Sequence, residues 1–384
     1  MSFEDFKNYG LKANSFLIER QDLPMVNREE NLDTIRAIIR EYVQENASAI
    51  MVIFGDYGMG KSFTLQNLLK RFKDNEEWVG QGSHLYPIFL KSMEPEQKGA
   101  YLVNLYRQIM KSIMESGIKQ LVGSVKDPAI NKLFEIIQMA AQGDQAANDW
   151  LIGRNISAKD KERLRVVFKV TDYNEVPDLI FELLEIIKAS GFQSLVLLID
   201  EWEFLMSIVS KPKLFAVVRE LQRLYDTFGE KSQDWRDKHA SLITIIASSE
   251  GAWLKFMDVT QEEASRSGGG STIITFLRRI NTKGRVELAP LTSNHIAELL
   301  TTRMLPDRLY GYENKGIWPF TSDYTDLMER VTHGIPSRVL SYSSLVLSEG
   351  RKRGKLEIDA PFAEEILKEY GVWSEMTPMP SRKG

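Results

Sequence analysis

The sequence predicts an α/β fold, a parallel sheet flanked by helices, followed by a smaller all-helical domain. Three observations predict it. Continuous apolar runs at Ala49–Phe54, Leu195–Ile199 and Leu242–Ala247 suit strands buried on both faces. Between them lie stretches whose apolar residues recur at helical spacing. After Thr292 the strand signals stop and only helical patterns follow.

Composition narrows the class. The chain has 384 residues, 43% hydrophobic and 27% charged, which is ordinary globular composition with length for two or three domains. The formal charge of −4 gives no global basic bias toward nucleic acid. There are no cysteines, which excludes disulfides, thiolate metal sites and cysteine nucleophiles. The four histidines are scattered, which argues against a histidine-rich metal site. The acidic start Met1-Ser2-Phe3-Glu4-Asp5 lacks the apolar core of a signal peptide. No apolar run approaches the ~18 residues of a membrane span. The expectation is a cytoplasmic protein without membrane contact.

Taken in order, residues 1–27 read as an N-terminal extension interrupted by Pro24. Leu32, Ile35, Ile38, Ile39 and Tyr42 mark a helix from about 28 to 44. The first strand follows. Leu85–Leu90 reads as the second, and Pro87, which has no N–H, predicts an edge position. Residues 97–122 and 129–142 are helical by spacing, and another helix follows Pro177. Trp150-Leu151-Ile152-Gly153 falls in a polar connection, and residues 157–169 carry five cations. The run Ser194–Glu201 is a buried strand ending in acids, and Leu242–Ala247 is the next. Ser267–Ser271 is a glycine loop, and Arg285–Leu288 is a short strand closed by Pro290. Helices are predicted over 293–304, 322–332, 336–349 and 360–369, with Asp359 before Pro361 starting the last. The residues after Gly371 read as a frayed tail.

The stretch that carries chemistry is Gly55-Asp56-Tyr57-Gly58-Met59-Gly60-Lys61-Ser62. It has the pattern G-x-x-x-x-G-K-S, after a strand and before a helix marked by Phe63, Leu65, Leu68 and Leu69, as a phosphate-binding loop requires. Its glycines let the backbone take positive φ and turn several N–H groups onto one phosphate. The helix start adds its positive dipole end. Lys61 is expected to reach the β- and γ-phosphates, and the Ser62 hydroxyl to ligate Mg²⁺. The competing reading is a plain glycine-rich turn. Residues 55–63 together form the expected nucleotide-binding set.

Asp200-Glu201 ends the most apolar strand. After such a loop, the first acid is expected to hold Mg²⁺ and the second to activate the attacking water, with Glu203 in reserve. A solvated strand end is the bland alternative. Ser248-Ser249 ends the 242–247 strand, where a hydroxyl can orient the γ-phosphate or water. Arg278-Arg279 precede the short strand and could stabilise charge on a transferring phosphoryl group. Arg338 opens a helix of the all-α part, after His333-Gly334-Ile335-Pro336-Ser337.

In order, Gly55–Ser62, Leu195–Glu201, Ile245–Ser249, Arg279-Ile280 and Gly334–Arg338 resemble the motifs of AAA+ ATPases, in particular the initiator and transposition-regulator branches. Trp150–Gly153, Gly191–Glu203 and Pro319-Phe320-Thr321 look like the ATP-binding proteins of BREX-type phage-defence loci. The AAA+ resemblance covers about residues 28–370. It implies an AAA+ domain over 28–291 with a five-stranded parallel sheet, a helical insertion near 97–185, a helical lid over 292–370, and a tail over 371–384. It implies ATP and Mg²⁺ as cofactors. It makes Ser249, or else Ser248, the sensor beside the γ-phosphate, although the family usually has Asn or Thr there. Arg28 would line the adenine pocket. Arg279 would be the finger reaching a neighbouring subunit, and Arg338 the second sensor. No winged helix follows the lid.

The function expected from these residues is an ATP-hydrolysing protein that assembles into a homo-oligomer, a ring or filament, and acts on double-stranded DNA or a DNA-bound complex. The alternative is a nucleotide-controlled switch that binds a protein partner of the same system without DNA. A protein unfoldase ranks last, because Lys91–Pro95 offers no aromatic-apolar-Gly pore loop. The DNA reading draws on the basic runs Lys159–Lys169 and Arg351–Lys355, each also readable as a solvated face.

Overall fold

A computed structural model describes residues 6–16, 23–74, 84–91, 101–126, 130–166, 170, 175–204, 210–266 and 284–372. These form two compact units. One comprises residues 31–54 and 61–287, the other residues 1–30, 55–60 and 288–384.

The first unit is built on five parallel strands, β1 Ala49–Phe54, β2 His84–Lys91, β3 Phe192–Asp200, β4 Ser241–Ser248 and β5 Arg285–Glu287, in the order β2-β3-β4-β1-β5. The three apolar runs occupy the three inner positions. All of β1 and β4 is buried, as a strand covered on both faces must be. β2 lies at one edge, where the missing N–H of Pro87 costs least. The register aligns Lys91 with Asp200 and Phe54 with Ser248. Those four residues therefore lie along one edge of the sheet, at the carboxyl ends of its strands, where ligands of open α/β sheets bind.

Helix α1 is Glu29–Gln44, and α2, Lys61–Asp74, follows β1 directly, burying Leu65, Leu68 and Phe72. Among the described residues, six helices separate β2 from β3: α3 Tyr101–Ser116, α4 Ile118–Ser124, α5 Lys132–Ala141, α6 Gln145–Leu151, α7 Ala158–Leu164 and α8 Val176–Ala189. The single helix expected over 97–122 is broken at Gly117, over which the Tyr86 hydroxyl packs. Residues 92–100 lie outside the described residues. Three of these helices start on side-chain caps. Asn131, Asp144 and Ser157 accept from the N–H groups of Phe134, Ala147 and Asp160, each worth about 1 kcal/mol. Trp150, expected in a polar connection, is instead the buried end of α6. Helices α9 Lys211–Glu230, α10 Gln233–Lys238 and α11 Glu250–Arg266 complete the unit.

The second unit carries α12 Ser293–Met304, α13 Ser322–Thr332, α14 Pro336–Lys352 and α15 Ala360–Glu369. Asp359 caps α15 by accepting from the Phe362 N–H, as its place before Pro361 predicts. The N-terminal residues belong to this core. Phe6, Tyr9, Leu11 and Phe16 are buried with Leu300, Tyr324 and Leu347. The Tyr9 hydroxyl donates to the Lys355 carbonyl at 2.8 Å.

Candidate nucleotide site

The glycine-rich stretch keeps the strand, loop and helix order, with β1 ending at Phe54 and α2 opening at Lys61. Gly58 and Gly60 have φ of +87° and +91°, a region that side-chain-bearing residues avoid. At Gly58 the space is also taken, since a Cβ would lie 2.0 Å from Ser337 Oγ. Tyr57, at the loop's tip, is 92% exposed.

Within the sheet-bearing unit, the Lys61 side chain is 8% exposed, and its Nζ lies 3.5 Å from Glu203 Oε1. Burying an ammonium is costly unless an anion meets it. Glu203 supplies that anion here, and its Oε2 is buried without a hydrogen-bond partner. A phosphate fits the same requirement. Asp200, 4% exposed at the end of β3, accepts the Glu201 N–H on Oδ1 at 2.9 Å. Glu201 takes φ +56°, an uncommon conformation for this residue type and one that clusters at functional sites. Its Oε1 is 3.9 Å from Lys91 Nζ at the end of β2.

The two serines after β4 differ. Ser248 is fully buried, and its hydroxyl donates to the Ser249 carbonyl at 3.1 Å. Ser249 Oγ accepts the Ala252 N–H at 3.3 Å, which caps α11 and leaves its own O–H for a second partner. That chemistry favours Ser249 as the serine able to meet an anion.

Within the other unit, the loop is held from the start of α14 and by Arg28. The Gly58 carbonyl accepts the Ser337 N–H at 3.2 Å, so the start of α14 lies against it, and Arg338 is the next, exposed residue. Arg28 is 4% exposed and donates to the carbonyls of Met59 at 3.0 Å, Ala289 at 3.0 Å and Asn27 at 2.6 Å. Burial lowers its pKa to about 10. Three of its donor groups thus meet backbone carbonyls, and one of these bonds holds the carbonyl side of the loop.

Arg278 and Arg279 lie outside the described residues, as do Ser267–Ser271, Ser92–Pro95, Lys169 and the tail beyond Val372. Among the described residues no three His, Cys, Asp or Glu side chains converge as a metal cage. Mg²⁺ nonetheless fits the donors present. A buried carboxylate, Asp200, and the hydroxyl of Ser62 at the start of α2 suit a hard cation that takes its other ligands from phosphate and water.

The C-terminal basic run, Arg351–Lys355, is engaged within the chain, and of the 159–169 run Arg163 is paired. Arg351 stands 5.2 Å from the Phe6 ring and Lys355 5.3 Å from the Phe362 ring. Lys352 meets Glu349 at 2.6 Å, and Arg353 meets Glu365 at 2.9 Å and also Glu369. Arg163 of α7 is paired with Asp144.

Four features had only weak signals in the sequence: the Lys61–Glu203 pair, the Lys91–Glu201 pair, the Ser337–Gly58 contact and the Arg28 clamp. The spacing Asp200-Glu201-x-Glu203 is the one local hint among them.

Comparison with known proteins agrees with this architecture. Residues 103–234 match the family described as BREX system ATP-binding protein BrxC/D. No curated protein matches the chain. Among solved structures, the Aeropyrum pernix ORC2 protein in its ADPNP–ADP complexes is 12% identical, with a TM-score of 0.52 over 93% of this chain and 71% of that one. Cdc6p from Pyrobaculum aerophilum is also 12% identical, with a TM-score of 0.46 over 92% and 70%. The chain thus has an α/β AAA+ fold, and its central part is similar to BREX ATP-binding proteins.

Proposed function

We propose, from an AAA+ fold whose residues 103–234 match a BREX ATP-binding family, that this protein binds ATP with Mg²⁺ and hydrolyses it. The nucleotide-driven cycle controls assembly into a homo-oligomer that acts on DNA or a DNA-bound complex in phage defence, in the cytoplasm. One observation carries the reading. A loop whose Gly58 and Gly60 adopt positive φ leads into a lysine buried beside an acid, at the strand-end edge that also holds Asp200, Glu201 and Ser249. A structural turn has no need to bury an ammonium there.

In the proposed site, residues 55–63 wrap the phosphates and Lys61 neutralises their charge. Ser62 and Asp200 hold Mg²⁺, which would withdraw charge from the phosphoryl oxygens when bound. Glu201 takes the proton of the attacking water. Ser249 donates toward the γ-phosphate, and Arg338 approaches the nucleotide from α14. Residues 28–291 serve as the ATPase domain, with the helices near 97–185 as its insertion and 292–370 as the lid. No helix among the described residues is long and apolar enough to cross a membrane.

A second reading, a nucleotide-controlled switch for a protein partner, is favoured by one observation: the cations of the C-terminal basic run are engaged within the chain. Mass photometry with and without ATP and duplex DNA separates the two. The first reading predicts ATP-dependent oligomers that take up DNA. A protein that stays monomeric under all four conditions would contradict it.

A further inference from the structure

We propose that the cleft between α3, the end of β2 and the turn after α6 binds a single strand of nucleic acid. The inference rests on the nucleic-acid part of the function proposed above and gives it a surface. The cleft encloses about 920 Å³ within the sheet-bearing unit, and four cations line it: Lys91, Arg107, Lys111 and Arg154. Single-strand sites combine a cationic groove for the phosphates with aromatic faces for the bases. Phe89, half-buried on the edge strand β2, supplies such a face in the cleft wall.

The wall is built rather than incidental. Arg107 runs beneath the turn and donates to the Gly153 carbonyl at 3.2 Å and the Val170 carbonyl at 3.4 Å. Gly153 takes φ +73°, and a Cβ there would lie 2.2 Å from Arg107 Nε. The turn is thereby fixed with Arg154 on the rim.

The other three cations are 68–71% exposed and rest in loose ion pairs: Lys91 with Glu201 at 3.9 Å, Lys111 with Glu115 at 3.8 Å and Arg154 with Asp149 at 3.2 Å. Exposed pairs of this kind contribute little and are readily exchanged for phosphate. The cations of the C-terminal basic run are bound differently, since Arg353 alone meets three carboxylates. A cleft of this volume also suits a few nucleotides better than a duplex, which is about 20 Å across.

The test is fluorescence anisotropy of the full chain with a labelled 20-nucleotide single strand and the matching duplex across a salt series. Three variants are compared: Phe89→Ala, the double reversal Lys111→Glu/Arg154→Glu, and Lys159→Glu/Arg165→Glu, an equal charge change outside the cleft. Phe89→Ala should weaken strand binding by about 5- to 150-fold, the cost of one lost base stack. The cleft reversal should reduce the log–log salt slope by about 1.4, for two phosphates released from a single strand. The outside reversal should leave both nearly unchanged. The strand should bind more tightly than the duplex.

If the wild type binds neither probe at low salt, the nucleic-acid reading and the cleft fail together. If it binds the strand and the cleft reversal binds equally well, the cleft assignment alone is overturned. Tighter duplex binding that is indifferent to the cleft variants has the same consequence. The double reversal changes only exposed side chains, so it remains informative if Phe89→Ala proves unstable.

Discussion

Glu201→Gln is expected to bind ATP and Mg²⁺ like the wild type and to hydrolyse it roughly 10²–10⁴-fold more slowly, the cost of losing a general base. The substitution keeps the shape and removes the proton acceptor. Backbone geometry singles this residue out, because Glu201 holds φ +56° immediately after the buried Asp200, and the Asp200 carboxylate receives its N–H. The variant should also trap whatever assembly ATP promotes, since the bound nucleotide persists. Single-turnover hydrolysis beside equilibrium ATP binding separates the two effects. A wild-type rate would move the role to another acid. Glu203 is next in line, but it stands 3.5 Å from Lys61. Substituting Glu203 should therefore alter nucleotide affinity more than turnover.

Arg279→Ala is expected to bind ATP and hydrolyse it about 10³–10⁵-fold more slowly, the range for a lost arginine finger. The motive is its position in sequence, shortly before the edge strand β5, which pairs with β1. Arg279 itself lies outside the described residues. The nearest described arginine, Arg285, is already engaged, 3.7 Å from Glu250 and 4.7 Å from the Phe54 ring. A finger supplied to a neighbouring copy makes three results hang together. Activity per subunit should rise with protein concentration. Arg279→Ala should be nearly inactive alone. Mixing it with Lys61→Ala should restore some turnover, because the mixed interface joins an intact loop to an intact finger. Activity that is flat with concentration, together with a dead mixture, would leave Arg278 or a role within one subunit.

The sheet was legible because each inner strand is a continuous apolar run, and burial on both faces leaves few other uses for such a run. Pro87 marked the edge by simple loss of a donor. The helices after Thr292 were legible to within a few residues, because caps and apolar spacing are local signals. What could not be read depends on residues far apart in the chain. Arg353 finds Glu365 and Glu369, and Arg163 finds Asp144, only once helices have packed. The sequence alone shows those cations as two basic patches. Arg28 had a plausible place beside a nucleotide, but its guanidinium is spent on carbonyls 31 and 261 residues away. Residues 6–16 gave no periodic signal, because they enter a core made by helices some three hundred residues later. The strand, loop and helix order around Gly55–Ser62 was legible, while the pairing of Lys61 with Glu203 was not.

The central claim is that the loop from Gly55 to Ser62 binds ATP through Lys61. Its most direct test is equilibrium binding of labelled ATP, with Mg²⁺, to the wild type and to Lys61→Ala, alongside circular dichroism to verify that the variant folds. The account predicts saturable binding by the wild type and none detectable by the folded variant, because the phosphates lose the buried ammonium that neutralises them. Equal affinity in the two proteins would contradict it.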